Sequence, residues 1–158
     1  MNGISTIAHV ALKVRDLDRS LDFYVNKLGF AEMMRLDKPD GRPGVWLVYL
    51  RITDTQYLEL FPDGEGERAP GWNDTAINHI CLGVDEIDAT LAHLEKVGIP
   101  LLLPKKQAVD GNWQAWIEDP DGNRIELMQM MPGSLQEQAI DRLKREAQAQ
   151  AKKGVGDR

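Results

Sequence analysis

The stretch His9-Val-Ala-Leu-Lys-Val-Arg-Asp-Leu-Asp18 returns, seventy positions later, as His79-Ile-Cys-Leu-Gly-Val-Asp-Glu-Ile-Asp88. Leu12 falls on Leu82, Val14 on Val84, Leu17 on Ile87 and Leu21 on Leu91. After a slip of one residue, Leu28-Gly29-Phe30 aligns with Val97-Gly98-Ile99, and Tyr57-Leu58-Glu59-Leu60 aligns with Arg124-Ile125-Glu126-Leu127. The chain is therefore read as two copies of one unit, each about 60 residues long, since self-similarity at a fixed offset marks a repeated structural unit.

Each copy has the same local pattern. His9 to Val14 and His79 to Val84 alternate, which predicts a strand with Val10, Leu12 and Val14, or Ile80, Leu82 and Val84, on one face. Leu17, Leu21, Tyr24, Val25 and Leu28 then recur at helical spacing, as do Ile87, Leu91, Leu94 and Val97. Gly29 and Gly98 stand where a left-handed residue ends a helix. Three more strands are expected in each half, and Asp119-Pro-Asp-Gly-Asn123 predicts a tight turn before the last of them. The fold class is α+β: two tandem βαβββ modules, about 4–62 and 76–130, making one unit over 1–131. Pro62 to Ala76, rich in Gly, Pro and acidic residues, reads as the linker. A tail over 132–158 begins with the capping-box spacing Ser134-Leu-Gln-Glu137 and predicts a helix to about Ala151 with a frayed basic end.

Bulk composition narrows the function. A 158-residue chain with 42% hydrophobic and 28% charged residues suits a globular domain with a real core. Net charge is −6 and the basic residues are scattered until the last stretch, which argues against nucleic acid. Apolar runs such as Ile99 to Leu103 are far shorter than the roughly 20 residues of a membrane-spanning helix, so no membrane partner is expected. Met1 to Ala8 lacks a basic start followed by an apolar stretch, and Cys81 is the single cysteine. Neither a signal peptide nor a disulfide framework is expected, and the default compartment is the cytoplasm.

Alternation gives the chemistry its place. Side chains alternate across a strand, so His9, Ala11 and Lys13 oppose the apolar set, as do Tyr57, Glu59 and Phe61 in the later strand. The second half repeats this with His79, Cys81 and Gly83, and with Arg124, Glu126 and Met128. One face of each sheet then carries one histidine and one glutamate. A buried carboxylate without a partner is strongly disfavoured, whereas two imidazoles and two carboxylates around a divalent cation form a nominally neutral site with room for substrate. A single strand histidine is usually an ordinary hydrogen-bonded residue, and a single strand-end glutamate is usually solvated. The duplicated placement is what selects His9, Glu59, His79 and Glu126 as ligands of one ion, with Ni, Zn, Co, Mn or Fe all compatible. Lys13 and Arg124 share the same face and favour an anionic substrate, against the alternative that they merely balance acidic groups. Trp46, Tyr49, Trp113 and Trp116 are candidates for the pocket wall, although strand aromatics more often serve the core. Cys81 is read as an inert small hydrophobe, and His93, which has no counterpart, as solvated.

Those same stretches, together with Arg19-Ser-Leu-Asp-Phe-Tyr24 and Glu118-Asp-Pro-Asp-Gly-Asn-Arg-Ile-Glu-Leu127, resemble the vicinal oxygen chelate superfamily and its glyoxalase I branch over about residues 4–130. The resemblance implies a cupped sheet around the metal and frequently a homodimer. It also implies a lyase that isomerises the hemithioacetal of methylglyoxal and glutathione to a lactoyl thioester. The metal would hold vicinal oxygens and stabilise an enediolate while Glu126, or by quasi-symmetry Glu59, moves the proton. A first-half glutamate is the discriminating ligand, since related epimerases commonly carry glutamine there. Two departures bear on glutathione as cosubstrate: Lys13 stands where the branch offers arginine, and Phe61-Pro62 where an asparagine is common. The alternatives are an epimerase or other lyase on a different small oxygenated compound, and a non-catalytic small-molecule binding protein.

Overall fold

The computed structural model describes residues 3–156. β1 (His9–Lys13) is followed by α1 (Leu17–Leu21), which widens into a π-helical turn over Asp22–Lys27, and then by β2 (Ala31–Asp37), β3 (Val45–Arg51) and β4 (Tyr57–Phe61). The second half repeats this order as β5 (Ile80–Gly83), α2 (Ile87–Lys96), β6 (Leu103–Gln107), β7 (Trp113–Glu118) and β8 (Arg124–Gln129). The result is two four-stranded mixed sheets, ordered β1-β4-β3-β2 and β5-β8-β7-β6. In each sheet the first strand runs parallel to the last, and the remaining neighbours are antiparallel. The parallel pairing follows from the helix between β1 and β2, or β5 and β6, because a parallel neighbour needs a crossover connection.

The one-residue slip in the repeat has a physical counterpart. Leu21 and Leu91 still align, Gly29 and Gly98 do not, and the extra residue is absorbed in the π turn over Asp22–Lys27. A π turn is how a helix takes one additional residue without losing its axis. The stops record it: Phe30 N–H donates to the Tyr24 carbonyl, six residues back, whereas Ile99 N–H donates to that of Leu94, five back. Both glycines have the expected positive φ, +82° and +72°. At the starts, the Asp16 carboxylate caps α1 through Arg19 N–H, while α2 has no cap of its own and Ile87 N–H donates to the Gln129 side chain from β8.

The helices cover the apolar faces as the spacing predicts. Tyr24, Val48, Leu50, Leu58 and Leu60 from the first half join Ile87, Leu94, Ile117, Ile125 and Leu127 from the second in one continuous core. Polar ties cross between halves: Tyr24 OH donates to Asp119 Oδ2 at 2.9 Å, and Arg15 binds Asp121 through both its backbone N–H and its Nε. His93, expected to be solvated, is exposed but has Nε2 2.7 Å from the carbonyl of Lys27. The turn before β8 is built around Asp119, whose Oδ1 accepts from the N–H groups of Asp121 and Asn123. α3 (Leu135–Gly156) begins at Ser134, whose hydroxyl accepts from Glu137 N–H, and runs five residues past the expected end. From Asp141 to Ala151 every residue of α3 is exposed.

Candidate metal centre and its surroundings

β1 and β5, the strands that carry or follow the two histidines, are edge strands in their sheets. Ala11 lies beside Glu59 in the β1–β4 register and Cys81 beside Glu126 in the β5–β8 register, so the two halves present their acids at equivalent points. His9 Nδ1 is 3.5 Å from Glu59 Oε1, and His79 Nε2 is 3.1 Å from Glu126 Oε2. Within the chain the four residues form two pairs rather than one cluster. Among the described residues no three His, Cys, Asp or Glu side chains are placed to share a metal ion.

The donor chemistry of each pair fits a divalent ion. Two ligands about 2.1 Å from one ion, at tetrahedral or octahedral angles, lie roughly 3.0–3.4 Å apart, which is close to both separations. Glu59 is 6% exposed, and its near neighbour on β3 is Tyr49, directly opposite in register. Desolvation, and then the Glu59 carboxylate, raise the Tyr49 phenol above its ordinary pKa. His79 is the better oriented histidine. Its Nδ1 lies 3.0 Å from Asn78 Oδ1 and its Nε2 3.1 Å from Glu126 Oε2, both acceptors; with a cation between Nε2 and Glu126, the proton would sit on Nδ1 and be held by Asn78. Asn78 is itself held, since its Nδ2 donates to the Trp72 carbonyl. His9 has a half-exposed side chain.

The remaining candidates divide. Lys13 is exposed on the rim of a cleft of about 370 Å³ that runs between the β1 and β5 edges and the linker, and Arg15, Arg68 and Arg124 also border it. Arg15 and Arg68 are already paired with Asp121 and Glu118. Arg124, read from the sequence as a substrate contact, is buried. Its Nε, Nη1 and Nη2 donate to the carbonyls of Asn78, Pro70 and Gly71, and its guanidinium carbon lies 4.4 Å from the Trp72 ring. Arg124 therefore clamps the linker onto β8, and among the described residues its partners are backbone carbonyls rather than an acid. Cys81 reaches solvent, yet desolvation first and the adjacent Glu126 carboxylate second push its thiol up to about 12, so it stays protonated near neutrality.

Of the aromatic candidates, Trp116 packs edge-on to the His79 ring at 4.7 Å and sits opposite Glu126, while Trp113 is partly buried against the core beneath Lys105. Trp46 meets Phe61 edge-on at 5.7 Å and is 42% exposed. Sequence reasoning passed over Trp72 and Asn78. The only signal for Trp72 was a large apolar residue within a Gly-, Pro- and acid-rich linker, and for Asn78 its place just before His79.

This fold, with a matched His–Glu pair on each of two repeated sheets, defines a class. Residues 6–127 match the Glyoxalase/Bleomycin resistance protein/Dioxygenase superfamily, and the chain belongs to it. Within that class it is similar to the lactoylglutathione lyase of Neisseria meningitidis serogroup A, with 34% identity over 129 residues, spanning 80% of this chain and 92% of the relative. It is also similar to the ethylmalonyl-CoA/methylmalonyl-CoA epimerase of Cereibacter sphaeroides, 32% identical over 103 residues, spanning 63% of this chain and 75% of the relative. Among solved structures it resembles a glyoxalase family protein from Enterococcus faecalis (TM-score 0.68, 27% identity, 78% of this chain and 96% of that one). The lactoylglutathione lyase from Agrobacterium tumefaciens is another such structure (TM-score 0.60, 28% identity, 81% and 96%).

Proposed function

We propose that this chain is a metal-dependent, glyoxalase I-like lyase that works in the cytoplasm as a homodimer. Each centre is completed by His9 and Glu59 of one copy with His79 and Glu126 of another. The observation that carries the reading is the repeated His–Glu pair, set at equivalent register on both sheets yet not joined within the chain. Two features support a second copy as the missing half. Among the described residues β1 and β5 each have one edge without a strand partner, bordered within the chain only by an open cleft and the linker. Large apolar side chains are exposed on or near both sheets, including Ile7, Met33, Met34, Trp46, Ile77 and Leu103, and such surfaces mark interaction sites. The tail over 132–158 stands outside this catalytic unit.

A divalent ion held by the four side chains would supply Lewis acidity to two vicinal substrate oxygens. The chain's own residues do the rest. Glu126 takes the proton from the carbon that bears the hydroxyl and sulfur and returns it to the adjacent carbonyl carbon, while the hydroxyl proton passes to the former carbonyl oxygen, giving a 2-hydroxy thioester; Glu59 occupies the quasi-equivalent place. Asn78 keeps His79 in the tautomer that offers Nε2. Lys13 at the cleft rim suits an anionic group on the thiol, glutathione being the candidate cosubstrate. The lysine lacks the bidentate fork that an arginine would bring to a carboxylate.

The test is metal content followed by a hemithioacetal assay across Ni, Co, Mn and Zn. Activity that falls at least about 10³-fold in Glu126→Gln is the expected result, in line with loss of the group that moves the proton. Metal binding without turnover would favour the second reading, proton transfer next to the carbonyl of a different substrate, for which the epimerase relative and Phe61-Pro62 speak. A protein that binds no divalent ion would overturn the lyase reading and leave that of a non-catalytic small-molecule binding protein.

A further inference from the structure

Trp72 belongs to neither a strand nor a helix, and the linker holds it with unusual care. Its ring lies 5.4 Å from that of Trp116 and 4.4 Å from the Arg124 guanidinium carbon, while its carbonyl accepts from Asn78. Arg124, by donating to Pro70, Gly71 and Asn78, fixes the chain on both sides of it. Trp116 continues the line inward, because its ring is edge-on to His79 and its backbone is opposite Glu126. The outer ring is left 47% exposed, whereas Trp116 is 8% exposed. Tethering the linker would require only the three Arg124 hydrogen bonds. The same arrangement keeps a rigid indole half in water and in contact with the ring that borders the His79–Glu126 pair. Rigid indoles offer large contact area with little conformational entropy to lose on binding.

We propose that Trp72 and Trp116 form a selectivity wall for the organic side chain of the carbonyl substrate, so that aryl compounds are preferred over methyl ones. Trp72 is the specificity-determining residue, and Arg124 and Asn78 position it. The inference rests on the metal-centre reading above.

Two measurements on the full-length, metal-loaded protein separate the claims. The first compares kcat/KM for the hemithioacetals of phenylglyoxal and methylglyoxal in wild type, Trp72→Ala and Trp72→Phe. Trp72→Ala is expected to lower the phenyl-to-methyl ratio by roughly tenfold, the scale of one lost aromatic contact, with Trp72→Phe keeping most of it. The second needs no turnover: calorimetric Kd values for phenylglyoxylate and pyruvate, which carry vicinal oxygens beside a phenyl or a methyl group. Their ratio is expected to fall by a similar factor in Trp72→Ala. A ratio unchanged in both measurements overturns the wall, as does an equal loss for both compounds. If wild type turns over neither hemithioacetal, the lyase reading fails, and the Kd ratio alone decides the wall.

Discussion

At the residue scale, the two histidines are chemically alike and structurally unequal. His79 has its Nδ1 3.0 Å from the Asn78 side-chain oxygen, and Asn78 is held by the linker, whereas His9 has a half-exposed side chain. Partners behind a ligand usually set a factor of about 10–100 in metal affinity. Asn78→Ala should therefore weaken divalent-ion binding by about that factor in a chelator competition, and an unchanged affinity would remove Asn78 from the centre. Tyr24 makes a different prediction. Burial first, and then the charges of Asp119 and Asp121, hold its phenol well above the ordinary value of 10. In the unfolded chain the phenol ionises near pH 10. The folded state therefore keeps its proton longer, and stability that is fully present below pH 10 is lost as pH rises beyond it. Tyr24→Phe removes a hydrogen bond to a charged group and should cost about 2 kcal/mol at pH 7. It should also flatten the decline above pH 10 in urea melts. A decline as steep as wild type would assign the alkaline loss elsewhere. Asp119 keeps three other donors in that variant, so no carboxylate is stranded.

At the scale of elements, the two helices test how a repeat tolerates an insertion. α1 together with the π turn that follows it carries one residue more than α2 and stores it in that turn, in which Asn26 is exposed. Deleting Asn26 would restore the three-residue step from Tyr24 to Leu28 that α2 shows between Leu94 and Val97. That deletion should leave a single cooperative thermal transition, with Tm lowered by only about 2–4 °C per kcal/mol of lost packing. Deleting Glu95 from α2 instead rotates the helix end by about 100°, one residue's turn of an α-helix, and should abolish the transition. Equal damage from both deletions would mean that the π turn is not a stored insertion.

For the whole molecule the question is where the two half-sites meet. Their core faces are joined by a common hydrophobic interior and by the Tyr24–Asp119 and Arg15–Asp121 ties. The His–Glu pairs lie on the other faces. If each centre is shared between two copies, Glu59→Gln and Glu126→Gln proteins should each be inactive. Unfolded together and refolded as a mixture, they should regain activity, because a mixed dimer rebuilds one intact centre and sacrifices the other. With equal amounts, half of the dimers are mixed and each has one of two sites, so recovery of about a quarter of wild-type activity is expected for closed two-fold dimers. No recovery would show that each chain completes its own centre.

Legible in the residue order alone were the repeat, the strand and helix periods, the helix stops at Gly29 and Gly98, and the placing of His9 with Glu59 and of His79 with Glu126. All of these follow from local spacing, because side-chain alternation and helical period are properties of a few consecutive residues. The one-residue slip was visible as well, although its form as a π turn was not. Tertiary structure decided what spacing leaves open. It spent the Arg124 guanidinium on the carbonyls of Pro70, Gly71 and Asn78, since a buried cation takes the acceptors within reach. It set Trp72 on Trp116 and put Asn78 behind His79 through a linker that has no period to read. It also kept the two His–Glu pairs apart within one chain. The docking of one sheet against another depends on contacts between residues distant in sequence, and no local pattern encodes it.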